Sequence, residues 1–203
     1  MLGRNRSATG YDRTHILQFG WVADLPFGPG KKFATSGPVS LLARDWQING
    51  TFSAYSGNPF SVGAAGTSLN APGNLQTADQ AKPVVEKLGG IGRDVPFFDP
   101  LAFRSVTEVR YGTSGRNILR GPGTVNSDMA IFRSFPIKER LRLQFRAEAF
   151  NFTNTPHFNN PATNVSNMRL NPDGSIAALG GFMAVTSARS EERNYRFALR
   201  LSF

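Results

Sequence analysis

Residues 139–153 read ERLRLQFRAEAFNFT. Leu141, Leu143, Phe145, Ala147 and Ala149 are apolar, and Arg142, Gln144, Arg146 and Glu148 between them are polar. In a chain with 40% apolar residues, nine consecutive positions in this phase arise by chance in roughly one window in a thousand. A helix would place Leu141, Gln144, Phe145 and Glu148 on one face, which is no apolar stripe. A strand separates the two classes cleanly, giving one dry face and one wet face.

The same alternation recurs outward from this stretch. Trp46, Ile48, Gly50, Phe52 and Ala54 share a phase against Gln47, Asn49, Thr51, Ser53 and Tyr55. Leu17, Phe19, Trp21, Ala23 and Leu25 oppose Gln18, Gly20 and Asp24. At the C-terminus Tyr195, Phe197, Leu199, Leu201 and Phe203 oppose Arg196, Arg200 and Ser202, and a weaker pattern sets Met129, Ile131 and Phe135 against Asn126, Asp128 and Ser134. The pattern predicts five strands, near residues 14–25, 45–56, 124–135, 139–153 and 193–203. No long helix is expected; residues 82–88 could supply one or two helical turns.

The connections carry as much information. Phe135-Pro136-Ile137-Lys138 reads as a tight turn, whereas residues 154–193 and 56–124 are connections of about forty and about seventy residues. Soluble domains rarely carry structureless loops beyond ~15 residues. Long and short connections alternate, apart from a medium one at 26–45, as they do in transmembrane β-barrels. Strands of about ten residues suit a tilted crossing of a bilayer. The expected fold is therefore all-β: an antiparallel transmembrane β-barrel segment, an open curved sheet by itself, with long and poorly ordered extracellular loops.

Composition narrows the chemistry. Gly and Pro number 21 and 13 of 203 residues, with 15 Asn, a turn-rich but not disordered composition. There is no cysteine, which excludes disulfides, thiolate metal sites and cysteine nucleophiles. No apolar run reaches the ~18 residues of a transmembrane helix, and the opening MLGRNR lacks the apolar core of a signal peptide. The net charge of +9 raises nucleic-acid binding, but Arg133, Arg142, Arg146, Arg196 and Arg200 occur singly among apolar neighbours rather than in a patch.

Catalytic and metal signals are weak. Gly28-Pro29-Gly30-Lys31-Lys32 lacks the spacing and terminal hydroxyl of a P-loop and reads as the turn after Leu25. Gly89-Gly90-Ile91-Gly92 follows no strand–helix unit. His15 and His157 are far apart, and Asp79 and Asp99 read as loop carboxylates that cap turns, with no EF-hand spacing around them. No enzyme activity, cofactor or metal is expected.

Several stretches resemble one family. Residues 140–154 (RLRLQFRAEAFNFTN) resemble the penultimate strand of TonB-dependent outer-membrane receptors, most closely the Oar-like group. Asn58-Pro59-Phe60 resembles the end of their S-G-x-P-F stretch, and Thr77-Ala78-Asp79-Gln80 resembles their R-A-D-Q segment. Residues 97–103 (FFDPLAF) and 111–123 (YGTSGRNILRGPG) are similar to landmarks before the next strand. Residues 194–203 (NYRFALRLSF) resemble the closing strand with its final aromatic residue.

The resemblance implies an outer-membrane transporter that imports large, scarce solutes such as metal chelates or glycans. A whole member has a signal peptide, a plug with a TonB-contacting box and some twenty-two strands. Residues 1–13 then read as the remnant of an extracellular loop, and 14–203 as the C-terminal part of the barrel, completed by the plug and other strands of a parent chain. Tyr195, Phe197, Leu199, Leu201 and Phe203 would face outer-membrane lipid. Arg142, Gln144, Arg146, Glu148, Arg196 and Arg200 would face the lumen, either as an ordinary wet wall or as a bias toward anionic solutes. TonB would be met only through the plug. The rival reading is a soluble β-sandwich binding carbohydrate or protein through its loops. In a sandwich Leu141, Phe145, Leu199 and Phe203 would point into a shared core.

Overall fold

The computed structural model describes residues 6–70, 74–189 and 192–203. Residues 1–5 of the expected loop remnant lie outside the described residues, as do 71–73 in the longest connection and 190–191 before the last strand. The described chain divides into two compact units.

The first unit is a five-stranded antiparallel sheet made of β1 (Ile16–Asp24), β2 (Trp46–Tyr55), β3 (Thr124–Lys138), β4 (Leu141–Phe150) and β5 (Asn194–Ser202). Each strand pairs with the next in sequence, so the sheet is a meander. It stays open, with β1 and β5 at its edges. The registers keep every apolar phase on one side. One row across all five strands runs Ala23, Ile48, Ile131, Ala147 and Phe197. A one-residue slip of any strand would turn its whole apolar set over, and this pins the pairing. Strands of nine or ten residues extend ~30–34 Å and after a tilt of ~40° span ~23–26 Å, about the height of an apolar band ~25 Å tall.

Two local features depart from expectation. The turn between β3 and β4 lies at Glu139 and Arg140, and β3 continues through Pro136 and Ile137 to Lys138. Proline is tolerated there because β2 pairs with β3 only as far as Arg133, so no ladder bond to β2 is lost. A seven-residue helix, α1 (Gly37–Ala43), interrupts the connection between β1 and β2. Pro38 opens it, where its missing N–H is not needed.

The second unit is built from residues 6–14, 56–123 and 157–189. The long connections were expected to be poorly ordered, and they are instead folded. Short antiparallel pairs tie them together, among them Pro59–Phe60 with Leu119–Arg120, Gly63–Ala64 with Gln76–Thr77, and Gly92–Pro96 with Ala184–Val185. Phe60, Val62, Phe97, Phe98, Phe103, Leu119, Val165, Phe182, Met183 and Val185 pack as a core. Among the described residues, every buried apolar side chain belongs to this unit and none to the sheet. Five phenylalanines and three valines of this core supply what a disordered loop lacks: enough apolar area to offset the entropy of ordering it. Residues 82–88 are not helical. The amides of Leu88 and Gly89 donate to the Phe97 carbonyl, and Glu86 accepts from the Asp99 amide, so the segment lies extended along 97–99.

Candidate functional site

The two faces of the sheet differ in chemistry. Arg142, Gln144, Arg146, Glu148, Arg196 and Arg200 all fall on the polar face, where Glu148 stands opposite Arg196, Gln144 opposite Arg200 and Arg142 opposite Ser202. Arg146 reaches Glu148 along its own strand at 3.4 Å. The Arg196 guanidinium lies 4.7 Å from the centre of the Phe150 ring. Across the other strands Gln47 donates to Asp24 at 2.9 Å, Gln18 donates to Tyr55, and Asn126 donates to Asp128 at 3.0 Å. Asp128 also accepts the Asn151 amide at 2.8 Å, where β4 ends. Arg142, Arg146, Arg196 and Arg200 thus share a face with Asp24, Asp128 and Glu148, a near-balanced polar wall.

The opposite face carries Tyr195, Phe197, Leu199 and Leu201 of β5, in register with Ala149, Ala147, Phe145 and Leu143 of β4. These side chains are uncovered: Phe197 and Leu199 are 72% and 70% exposed, and the terminal Phe203 97%. The apolar face continues through Met129 and Ile131 to Phe52, whose ring stacks on Phe19 at 5.2 Å. The shared core that a sandwich would place behind Phe145 and Leu199 is not formed by these exposed side chains.

One charged residue sits on the apolar face of the sheet. Arg133 stands in a row with Trp46, Phe145 and Leu199, yet is only 5% exposed. Its guanidinium donates to the carbonyls of Leu41 and Leu42, both at 2.6 Å. These carbonyls belong to the last turn of α1, where a cation satisfies otherwise orphaned acceptors and the negative end of the helix. The Trp46 indole N–H donates to the same Leu42 carbonyl at 2.8 Å, and its ring meets Phe145 edge-on at 6.0 Å. Arg133 was visible in sequence only as a charge in the apolar phase of Met129, Ile131 and Phe135. Nothing in the pattern of residues 26–45 disclosed α1.

Within the loop unit the buried polar centre is Asp79, 4% exposed. It does not cap a turn, as its loop position suggested. Its carboxylate takes two bonds from Arg110, at 2.9 and 2.8 Å, and one from the Thr113 amide at 2.9 Å. The Arg110 hydrogen bonds hold its pKa down to about 2 against the cost of burial, with help from the Thr113 amide and Arg104. Gln76 ties the same centre together by accepting the Gly112 amide and donating to the Arg110 carbonyl. A Cβ on Gly112 would sit 2.1 Å from the Thr77 carbonyl oxygen, so the backbones meet there only because residue 112 is glycine. Asp99 caps the short turn that follows it, accepting the Leu101 amide at 3.0 Å, and pairs with Lys82 at 2.6 Å.

The remaining sequence candidates occupy structural positions. Gly28 closes a small loop after Leu25: its amide donates to the Phe33 carbonyl, and the Phe33 amide donates to Pro26. Gly90 packs against Val95 and Pro96. His15 is exposed just before β1, and His157 is buried in the loop unit at 2% exposure. No cluster of three or more metal-ligating side chains occurs among the described residues.

A family profile described as an outer membrane beta barrel domain matches residues 1–196 of the chain. No curated protein and no solved structure matches it.

Proposed function

The chain belongs to the outer membrane β-barrel domain family, and from that premise we propose that it forms the wall and outer loops of a TonB-dependent transporter of the Oar-like kind. Its apolar face meets lipid and its polar face lines the lumen. The cargo class is large, scarce solutes such as metal chelates or glycans. Further strands of a parent chain pair with the open edges of β1 and β5, and a plug in the lumen carries the contact to TonB. The chain contributes no catalysis.

The observation that carries this reading is the one-sided sheet. A contiguous apolar face left exposed over five strands is an aggregation hazard in water and a requirement in hydrocarbon. Backbone groups at the free edges of β1 and β5 must also be paired before the sheet can lie in a bilayer. The loop unit supports an extracellular role, because it buries a hydrophobic core of its own.

Topology is testable in cells that display the assembled barrel. With the long connections outside and the β3–β4 turn in the periplasm, a cysteine replacing Asn160 reacts with an impermeant maleimide and one replacing Lys138 is protected. The opposite pattern inverts the assignment. Cross-linking of the assembled barrel to TonB tests the transporter reading separately; an assembled barrel that never cross-links is a passive pore.

A further inference from the structure

We propose that α1, with the lysine loop before it, is a membrane-surface anchor that lies in the headgroup layer of the bilayer leaflet at the β3–β4 turn end of the sheet. The proposal rests on the lipid-facing assignment of the apolar face.

Four observations converge on a phospholipid surface as the occupant. First, α1 exposes its apolar side chains: Val39, Leu41 and Leu42 are 64%, 57% and 75% exposed. Second, the helix continues the apolar face, because Arg133 and Trp46 hold its last-turn carbonyls from the row that also contains Phe145 and Leu199. Third, it sits at the end of β2, where a membrane-spanning strand leaves the hydrocarbon. An indole with its N–H bonded and its ring on apolar neighbours is typical of that depth. Fourth, the charge is complementary. Lys31 and Lys32 are exposed, and residues 26–43 contain no carboxylate to offset them. Phe33, 50% exposed beside Lys32, adds a second apolar contact.

Arg133 makes this arrangement tolerable. A guanidinium on a lipid-facing row would be costly in hydrocarbon. Here two helix carbonyls accept hydrogen bonds from its two terminal nitrogens, and the rings of Phe135, at 4.4 Å, and Trp46, at 5.9 Å, cover it. The helix therefore screens the one cation of the row from lipid while presenting leucine and valine outward, and the lysines reach headgroup phosphates.

The absence of cysteine permits single nitroxide labels. The assembled barrel carrying Leu42→Cys as its single cysteine, or Val39→Cys as a second position should the first disturb folding, is reconstituted in vesicles of phosphatidylethanolamine with a minority of phosphatidylglycerol. Leu199→Cys and Asp173→Cys serve as lipid and water references. The label on α1 is expected to be more accessible to oxygen than to an aqueous nickel chelate, between the two references. In the Lys31→Gln/Lys32→Gln background its oxygen-to-nickel ratio should fall at least about twofold. An aqueous α1 label beside an immersed Leu199 label overturns the anchor and leaves the lipid face intact. A label shielded from both reagents means that protein covers the helix, and an unchanged ratio in the lysine variant removes the phosphate contact; either overturns the proposal. If the Leu199 label is itself aqueous, the lipid-face reading fails and the anchor with it.

Discussion

The indole of Trp21 closes over Gly50, the residue directly opposite it on β2, so tightly that a Cβ on residue 50 would sit 2.7 Å from the ring. An aromatic folded over a cross-strand glycine covers backbone that would otherwise lie bare on that face and helps to hold the β1–β2 register. Gly50→Val should destabilise the sheet by about 1–3 kcal/mol, because the ring must leave its place. Paired with Trp21→Ala, the two losses should be clearly less than additive. Urea midpoints of the assembled, membrane-folded barrel for both single variants and the double variant measure the coupling; strict additivity would show that the contact contributes nothing.

The assignment of faces makes neighbouring residues behave differently. Phe145→Arg places a charge on the lipid side and should cost about 2–4 kcal/mol near the bilayer midplane. Gln144→Arg, one position away on the polar face, should be nearly neutral. Assembly yield into vesicles reads the difference, and equal losses would mean that the inside–outside phase is inverted or absent.

Arg133 should resist replacement although it is a cation in an apolar row. Arg133→Ala leaves the Leu41 and Leu42 carbonyls without their charged donor, at a cost of about 1.5–3 kcal/mol. Arg133→Lys should recover only part of this, since one ammonium cannot hold two carbonyls with the planar fork of a guanidinium. Trp46 fluorescence, together with proteolysis within residues 26–45, should report a loosened α1 in the alanine variant. Unchanged protection would show that α1 is held by other contacts.

The loop unit should lose stability in acid through Asp79. Its pKa is lowered from 3.8 to about 2 in the folded chain, chiefly by the hydrogen bonds from Arg110. A lowered folded pKa stabilises the ionised, folded form, so this contribution of about 2 kcal/mol is complete above pH 3.8 and is lost as pH falls through 2. Asp79→Asn should remove it at neutral pH and flatten the acid dependence over that window. Hydrogen exchange at the amide of Thr113, which donates to Asp79, is a local readout. A variant with the same acid profile as the parent chain would place the sensitivity elsewhere.

Period-2 alternation over residues 139–153 was enough to establish strands, their dry and wet faces and an all-β fold, because a side-chain direction that reverses at each residue leaves its mark directly on the chain. The same periodicity placed Arg142, Glu148 and Arg196 on one face and Phe145, Phe197 and Leu199 on the other. Contacts between residues distant in sequence leave no such mark. The loop core joining Phe60, Phe103 and Phe182, the Asp79–Arg110 pair thirty-one residues apart, and the capture of α1 by Arg133 ninety-one residues from Leu42 exist only once the chain has folded. Alternation along a strand is set by covalent geometry, whereas these partners are chosen by packing, and only the tertiary structure decided them.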